Sequence, residues 1–529
     1  MRVVIQFFRK YKLEIGLAFL FIAAFFITRL VNLTILPVFA DEAIYVRWSQ
    51  IMRNEPTLRF LPLSDGKTPL FMWILIPFFK FFQDPLFAGR LVSVLSGFGT
   101  LVGIFVLARY LWNSRVAFLS AFLYIFSPYM LFFDRMALVD SFLNFWGIWS
   151  LFLAVLLVRT LRLDVAMFLG FALAGAVLTK PSGWFFLYLL PLSLILFDFR
   201  GPTEKTSGEA AYLKKPIAFR LGKLFGLWMV SAFFAFLGYN LLRLGPNFAM
   251  IAARNKDYVF TLQEVLTHPL DPFKARIVEF TGWFGTLLTW PIFIASLFGI
   301  VWGIVRKERT LIFLFLWALL PFLIQAEVAK DISSRYLIFS ATQLLFLAAF
   351  FINQIFDFGG RKFGKVFVPI FLILISILPA IFIFQLLSNP QEAPLPRKER
   401  SGYLEEWTSG YGIKESADYL KKVAQKEKVV VGTEGAFGTL PDGLQIYLEG
   451  VLNVRVFGTG VVPVYELPKS LIEASKENQT YFVVNASRKL FDDEKLQLVG
   501  KYPKARNQKG QQDYLLFYHV QERDGKRTI

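Results

Sequence analysis

Two adjacent carboxylates, Asp41 and Glu42, stand where the first strongly apolar segment of this 529-residue chain ends. Acids at the exit of an apolar segment are wet and close to lipid headgroups, which leaves them free to exchange protons. Tyr45, Arg47 and Trp48 follow with the spacing of an amphipathic helix. Further along come Gly66-Lys67-Thr68-Pro69, Arg90, the run from Asp134-Arg135 to Asp140, Thr179-Lys180-Pro181 and Ser333-Ser334-Arg335-Tyr336, each bordering an apolar stretch. A carboxylate can take the proton of an attacking hydroxyl. Lysines and arginines can hold an anionic group and stabilise the charge it gains on leaving.

Each of these residues also has a plainer explanation. A lone Lys or Arg at the end of a span can snorkel, its stem in lipid and its charge among headgroups. Asp41 can cap the helix it begins by accepting from free backbone N–H groups. Five cations (Lys67, Arg90, Arg135, Lys180 and Arg335) sharing one membrane face with three aspartates are harder to explain this way, because cations should gather on the opposite face. Such a set suits a substrate with an anionic head at the membrane surface and an uncharged group to be activated beside it. A polyprenyl-phosphate sugar is such a substrate.

The elements that must position these residues are membrane helices. Hydrophobic residues make up 55% of the chain, mean hydropathy is +0.51, and apolar runs of nearly span length recur through its first three quarters. About eleven spans are expected, over 15–36, 89–108, 116–133, 139–158, 165–178, 183–197, 224–241, 284–305, 311–325, 336–352 and 366–387. The first exceeds the roughly 7–15 apolar residues of a signal peptide and reads as a retained helix, with cleavage after Val38-Phe39-Ala40 as the alternative. Basic residues test the parity of the count. Arg109 and Arg115; Arg159 and Arg162; Arg200, Lys205, Lys214, Lys215, Arg220 and Lys223; Arg306, Lys307 and Arg309; and Arg361, Lys362 and Lys365 fall on alternate connections, the pattern of inner loops with the N-terminus inside. Counting 69–82 as a span would reverse that pattern, so this stretch reads as re-entrant or surface-lying.

The same parity puts 37–88, 134–138, 242–283, 326–335 and the hydrophilic tail on the outer face of the cytoplasmic membrane. The expected organisation is a multi-pass membrane domain over 1–388 with a first outer loop at 37–88, a linker at 389–400, and an extracytoplasmic α/β domain over 401–529. In the tail Ile413, Ala417, Leu420 and Ala424 share one helical face. Strands are expected at 429–431, 454–457, 481–484 and 514–519, and a further helix near 468–476. Gly432, Gly435 and Gly438 read as turn glycines, since they match neither the dinucleotide fingerprint nor a P-loop. The net charge of +18 belongs largely to inner loops facing anionic lipid, which argues against a nucleic-acid partner. With no cysteine the chain has no disulfide, no thiolate chemistry and no zinc–cysteine site, and a bacterial or archaeal envelope fits this.

In order along the chain, Asp41-Glu42-Ala43-Ile44-Tyr45, Lys67-Thr68-Pro69-Leu70-Phe71, Gly89-Arg90-Leu91, Arg135 through Asp140, Leu178-Thr179-Lys180 and Arg335-Tyr336 resemble the signature of GT-C membrane glycosyltransferases. Among these, the protein O-mannosyltransferases and the lipid A aminoarabinose transferases are nearest in pattern. The resemblance covers about residues 1–352 and leaves the tail unexplained. It implies a mainly α, polytopic GT-C fold. It also implies transfer of a hexose or pentose from a polyprenyl-phosphate carrier to a protein, lipid or glycan hydroxyl, with inversion. In that family frame Asp41 acts as general base or positions the acceptor, Glu42 assists, and Lys67 contacts the donor phosphate. Tyr45, Arg90, Arg135, Asp140, Lys180, Arg335 and Tyr336 match positions that shape the donor pocket or hold the loops. The tail is expected to bind or orient the acceptor.

Departures limit the carry-over. Where the aminoarabinose transferases have a metal-binding glutamate before the first-loop lysine, this chain has Gly66, and His268 is the single outer-loop histidine of the membrane part. No cofactor is therefore assigned, and a divalent metal stays as the minor alternative. The Trp-Trp-Asp-Tyr-Gly signature of oligosaccharyltransferases is absent. Two other classes remain as alternatives: a transporter or flippase for a lipid-linked glycan, and a membrane-anchored binding or sensor protein.

Overall fold

The computed structural model describes residues 11–199, 216–364 and 366–521. The basic residues expected in inner loops at 200, 205, 214, 215 and 365, and those at 2, 9 and 10, lie outside these. Among the described residues seven helices are long and apolar enough to cross a membrane: Lys12–Leu30, Pro85–Leu111, Val139–Thr160, Ile217–Leu244, Arg309–Val328, Ser334–Lys362 and Phe367–Ser388. The chain is a multi-pass membrane protein.

The count differs from the eleven expected spans for identifiable reasons. The 116–133 run is two helices, Ser114–Ile125 and Pro128–Asp134, bent by 62°. Ser127 caps the second of them and Pro128 occupies its first turn. The 284–305 run is likewise split, with Asp271–Leu287 and Trp290–Arg306 meeting at 117°, where Thr289 has φ +68° and Pro291 follows. Counting each bent pair as one span gives up to nine. The Leu163–Thr179 helix has 17 residues and rises about 25 Å, short of a roughly 30 Å hydrocarbon core. The 183–197 run breaks into short turns around Pro191. The 69–82 stretch becomes a six-residue helix, Leu70–Leu75, and a 3₁₀ turn, Ile76–Lys80, started by Pro77.

Two arrangements bring the polar residues together. The Val139–Thr160 and Leu163–Thr179 helices form a hairpin closed by Leu161 in the left-handed region, so the start of one lies beside the end of the other. The second helix then packs closely on Ile217–Asn240, where Ser231 Oγ donates to Ala166 O at 2.8 Å. A Cβ on Gly170 would come 2.6 Å from Phe234 Cβ and 2.9 Å from the Ser231 carbonyl oxygen, so only glycine fits.

The C-terminal domain is a five-stranded sheet in the order β2-β1-β3-β5-β4, with β1 Val429–Thr433, β2 Val454–Gly458, β3 Gln479–Asn485, β4 Leu496–Arg506 and β5 Gln512–Val520. β1 runs parallel to β2 and β3, and β5 runs antiparallel to β3 and β4. The four expected strands and the amphipathic Ile413–Ala424 helix are present. β4 and the Asp442–Leu448 helix are additions that the sequence did not announce. The sheet is tied to the membrane part through residues 389–411. Phe39 and Ser409 form an antiparallel bridge, Ala40 N donates to Thr408 O at 3.0 Å, and Gly410 N donates to Val38 O at 2.9 Å.

Candidate active site

The helix Ala40–Asn54 carries both first-loop acids, and its capping separates their roles. Phe39 N donates to Glu42 Oε2 at 3.0 Å, so Glu42 reaches back to close the helix start. Asp41 is not the cap. Its Oδ2 accepts from Arg335 Nη2 at 2.6 Å, and its Oδ1 lies 3.9 Å from Lys67 Nζ.

Glu42 is fully buried. Its two oxygens accept from Arg90 Nε at 2.8 Å and Nη2 at 2.7 Å and from Ala137 N at 2.6 Å. Arg90 also donates to the carbonyls of Leu33, Leu36 and Pro37 at 2.9–3.0 Å, which occupies all five of its N–H groups. The expectation that Glu42 assists catalysis therefore meets a carboxylate with every face taken. Its chemistry is to lock the 33–42 turn. Arg135 does a similar job, donating to the carbonyls of Thr28, Arg29, Val31 and Asn32 that the first helix leaves free. Glu42, Arg90 and Arg135 thus hold the loops, and Glu42 and Arg90 contribute no free polar atom to a substrate.

The remaining candidates converge. Asp140, in the first turn of Val139–Thr160, accepts from Lys180 Nζ at 2.7 Å. Lys180 is the residue that ends Leu163–Thr179, so the hairpin puts an acid at a helix start beside a cation at a helix end, each suited to its dipole. Arg335 Nε stands 3.9 Å from Asp140 Oδ2, which makes Arg335 the bridge between the Asp140 pair and Asp41. The Lys180 ammonium sits 3.6 Å from the centre of the Tyr336 ring. Lys67 lies 5.3 Å from the Tyr45 ring and 5.7 Å from Trp48, and 3.3 Å from Asp65. Gly66, at φ +68°, makes the turn that delivers it.

Burial alone would raise the Asp41 carboxyl, but Arg335 and Lys67 outweigh it and hold the group below the ordinary carboxylate range. Asp41 is thus ionised at neutral pH. Burial likewise would lower Lys67, while Tyr45, Asp41 and Asp65 around it push it upward, so it stays charged. Nη1 of Arg335 is buried and has no hydrogen-bond partner. A guanidinium with an unmet N–H, a second cation and an ionised acid around one spot can bind an anion and hold a hydroxyl next to it.

Several contributors were not legible in the sequence. Asp65 pairs with Lys67 and, at 2.9 Å, with Arg254. Glu399, 1% exposed, accepts from Ser334 N at 2.8 Å and so caps the Ser334–Leu337 turn that carries Arg335. Tyr403 packs on Phe39 with ring centres 4.3 Å apart. Glu399 and Tyr403 lie at the edge of a charged run that reads only as linker. His268 is exposed, and among the described residues no group of three or more His, Asp or Glu could hold a metal ion.

Residues 66–236 match the profile of the family described as dolichyl-phosphate-mannose-protein mannosyltransferase, a stretch that contains Lys67, Arg90, Arg135, Asp140 and Lys180. No curated protein matches the chain. Among solved structures it is similar to ArnT from Cupriavidus metallidurans in the apo state, at 14% identity and TM-score 0.56 over 96% of this chain and 98% of that one. It is similar also to the same ArnT bound to undecaprenyl phosphate, at 15% and 0.53 over 95% and 98%. A third likeness is to the apo oligosaccharyltransferase of Archaeoglobus fulgidus, at 13% and 0.50 over 90% and 70%. The resemblance to the GT-C superfamily read from the motifs therefore holds for the fold: seven or more apolar spans and a small C-terminal sheet in an ArnT-like arrangement.

Proposed function

We propose that this GT-C-fold chain is a glycosyltransferase that moves a monosaccharide, hexose or pentose, from a polyprenyl-phosphate carrier to an acceptor hydroxyl, with inversion. It would act at the outer face of a prokaryotic cytoplasmic membrane. The observation that carries the reading is the pairing of Asp41 with Arg335 and Lys67 while Arg335 Nη1 is left without a partner. The likeness to an ArnT bound to undecaprenyl phosphate supports the choice of carrier.

The donor phosphate would sit on Arg335 and Lys67, with Lys180 and Asp140 fixing the guanidinium from behind. The acceptor oxygen attacks the anomeric carbon, and the bond from that carbon to the phosphate oxygen breaks. The carrier leaves as a phosphate anion stabilised by the cations, so no general acid is needed. Asp41 takes the hydroxyl proton. In the empty site Asp41 is a weak base because Arg335 and Lys67 neutralise it. Once a phosphate competes for those cations, the carboxylate recovers basicity, which ties proton removal to donor occupancy.

The test is release of free polyprenyl phosphate by the lipid-reconstituted protein, given a panel of polyprenyl-phosphate sugars and an envelope extract as acceptor source. The native protein is expected to release it and Asp41→Asn to fall by about 10²–10⁴-fold, the usual worth of a positioned base. Equal release by both, or carrier translocation without release, would overturn the reading.

A further inference from the structure

The C-terminal domain contains a second polar site, remote from Asp41 in chemistry though tied to it by chain. β2 lies on one side of β1 and β3 on the other, so the chain leaves the carboxyl ends of β1 and β3 in opposite directions. In open α/β sheets a crevice at such a point is the common place for a ligand. Here a buried network joins the two strand ends. Glu434, directly after β1 and 2% exposed, accepts from Asn485 N at 3.1 Å and Nδ2 at 2.7 Å at the end of β3. Lys504, with no exposed surface, donates to Asn485 Oδ1 and to Glu406 O and stands 3.8 Å from Asp513.

A cavity of about 640 Å³ opens over this network, lined among others by Glu406, Trp407, Arg488, Asn507, Gln512 and Asp513. That volume is in the range of about 300–1,000 Å³ usual for small-ligand sites. The Arg488 guanidinium lies 3.6 Å from the centre of the Trp407 ring and braces it. Glu405 is paired with Arg400 at 2.7 Å. Asp513 accepts from Ser487 N at 3.0 Å and Oγ at 2.9 Å, so at least two of the three carboxylates on the wall already have partners, and beside them stand three carboxamides, one guanidinium and one indole. An anion would meet the carboxylates of Glu406 and Asp513, and a cation would meet Arg488. A neutral polyhydroxyl ligand satisfies both, because each hydroxyl donates and accepts, and its C–H face can lie on an aromatic ring.

We propose that this crevice is a saccharide-binding site. Its place in the chain suggests what the saccharide does. Trp407 immediately precedes Thr408, whose carbonyl accepts from Ala40 N, the residue before Asp41. A glycan held there is anchored on the strap whose backbone hydrogen-bonds to the start of the helix that carries the candidate base. That the bound saccharide is part of the acceptor rests on the transferase reading; the binding itself does not.

The experiment is ligand-observed saturation-transfer NMR on the full chain in lipid nanodiscs free of sugar detergents. The probes are the methyl glycosides of mannose, glucose, galactose and N-acetylglucosamine, their disaccharides, and inorganic phosphate, all without donor. The native chain is expected to bind at least one saccharide. Trp407→Ala should weaken it at least tenfold, and so should Gln511→Arg, an exposed rim position where a larger side chain blocks the mouth without touching the core. Three outcomes overturn the site: no saccharide binding by the native chain, binding unchanged in both variants, or binding of phosphate in preference to every saccharide. None of these bears on release of polyprenyl phosphate, so the two readings fail separately.

Discussion

Asp41 and Glu42 are neighbours in sequence, yet the structure predicts opposite responses to the same isosteric change. In Glu42→Gln one carboxylate oxygen becomes an amide NH₂. If that group faces Arg90 Nε and Ala137 N, the bonds at 2.8 and 2.6 Å are lost; if it faces Arg90 Nη2 and Phe39 N, those at 2.7 and 3.0 Å go. Either way two donors confront a donor, and a fully buried guanidinium loses its counter-charge. Removing one partner of a buried pair costs about 3–5 kcal/mol. Unfolding entropy near 2.1 cal/mol/K per residue scales, for a chain of 529 residues, to roughly 1 kcal/mol per kelvin, so the thermal midpoint should fall by about 3–5 °C. Asp41→Asn acts on a half-buried carboxylate, and its effect on stability should stay within about 1 kcal/mol. The assay pairs intrinsic-fluorescence melts in nanodiscs with the rate of carrier release measured well below the midpoint. Glu42→Gln should melt early and keep activity within tenfold, whereas Asp41→Asn should melt normally and lose about 10²–10⁴-fold. A Glu42→Gln chain that melts like the native one and is as inactive as Asp41→Asn would refute the division of roles.

Arg335→Lys keeps the charge, but one ammonium cannot replace a fork that meets Asp41 at 2.6 Å and Asp140 at 3.9 Å. At about 1.5–3 kcal/mol for a hydrogen bond to a charged group, donor turnover should drop roughly 10–150-fold, and an unchanged initial rate would count against the clamp. Burial pushes the Lys504 ammonium down to about 8, against the attraction of Asp513 and Glu434 and with Arg488 lowering it further. A base whose folded value is depressed destabilises the fold where it must be charged, so stability should rise as pH climbs from 8 toward 10.5, by up to about 3 kcal/mol. Melts of the native chain and Lys504→Met at pH 7, 8.5 and 10 read this as a difference, and parallel curves would sink it. Glu399→Gln should weaken the cap on the Arg335 turn, raising the KM for the donor several-fold while kcat stays near the native value; a fall in kcat alone would argue that Arg335 is fixed by other contacts.

What could be read in advance was residue type and order, and what could not was direction. The apolar runs announced the helices, and the prolines that split two of them, Pro128 and Pro291, were visible; the bends of 62° and 117° were not. β4 escaped because its Leu496–Arg506 sequence is largely exposed and polar on a sheet edge. Lys67, Asp140, Lys180 and Arg335 were singled out by their position at the ends of apolar runs, and they meet. Arg90 and Arg135 were singled out by the same rule, yet they point inward to carbonyls of the 28–37 turn. Composition cannot separate the two cases, since a cation at a helix end is equally at home on a phosphate or on unpaired backbone.

The first-loop acids show why. Successive helical residues are turned by about 100°, enough to send Glu42 into a fully enclosed pocket and leave Asp41 facing Arg335. Which of the two faces out is decided by the bridge between Phe39 and Ser409 and by Ala40 N on Thr408, contacts more than 360 residues apart in the chain. From the sequence the tail is expected to serve acceptor use more than donor binding. Because Glu399 caps the Arg335 turn and residues 408–410 bind the segment leading into Asp41, removing the chain from Glu399 onward should disturb the orientation of both. It should therefore lower donor use as well as acceptor use, and a truncated chain that keeps native donor turnover would show that the membrane helices alone hold Asp41 and Arg335 in register.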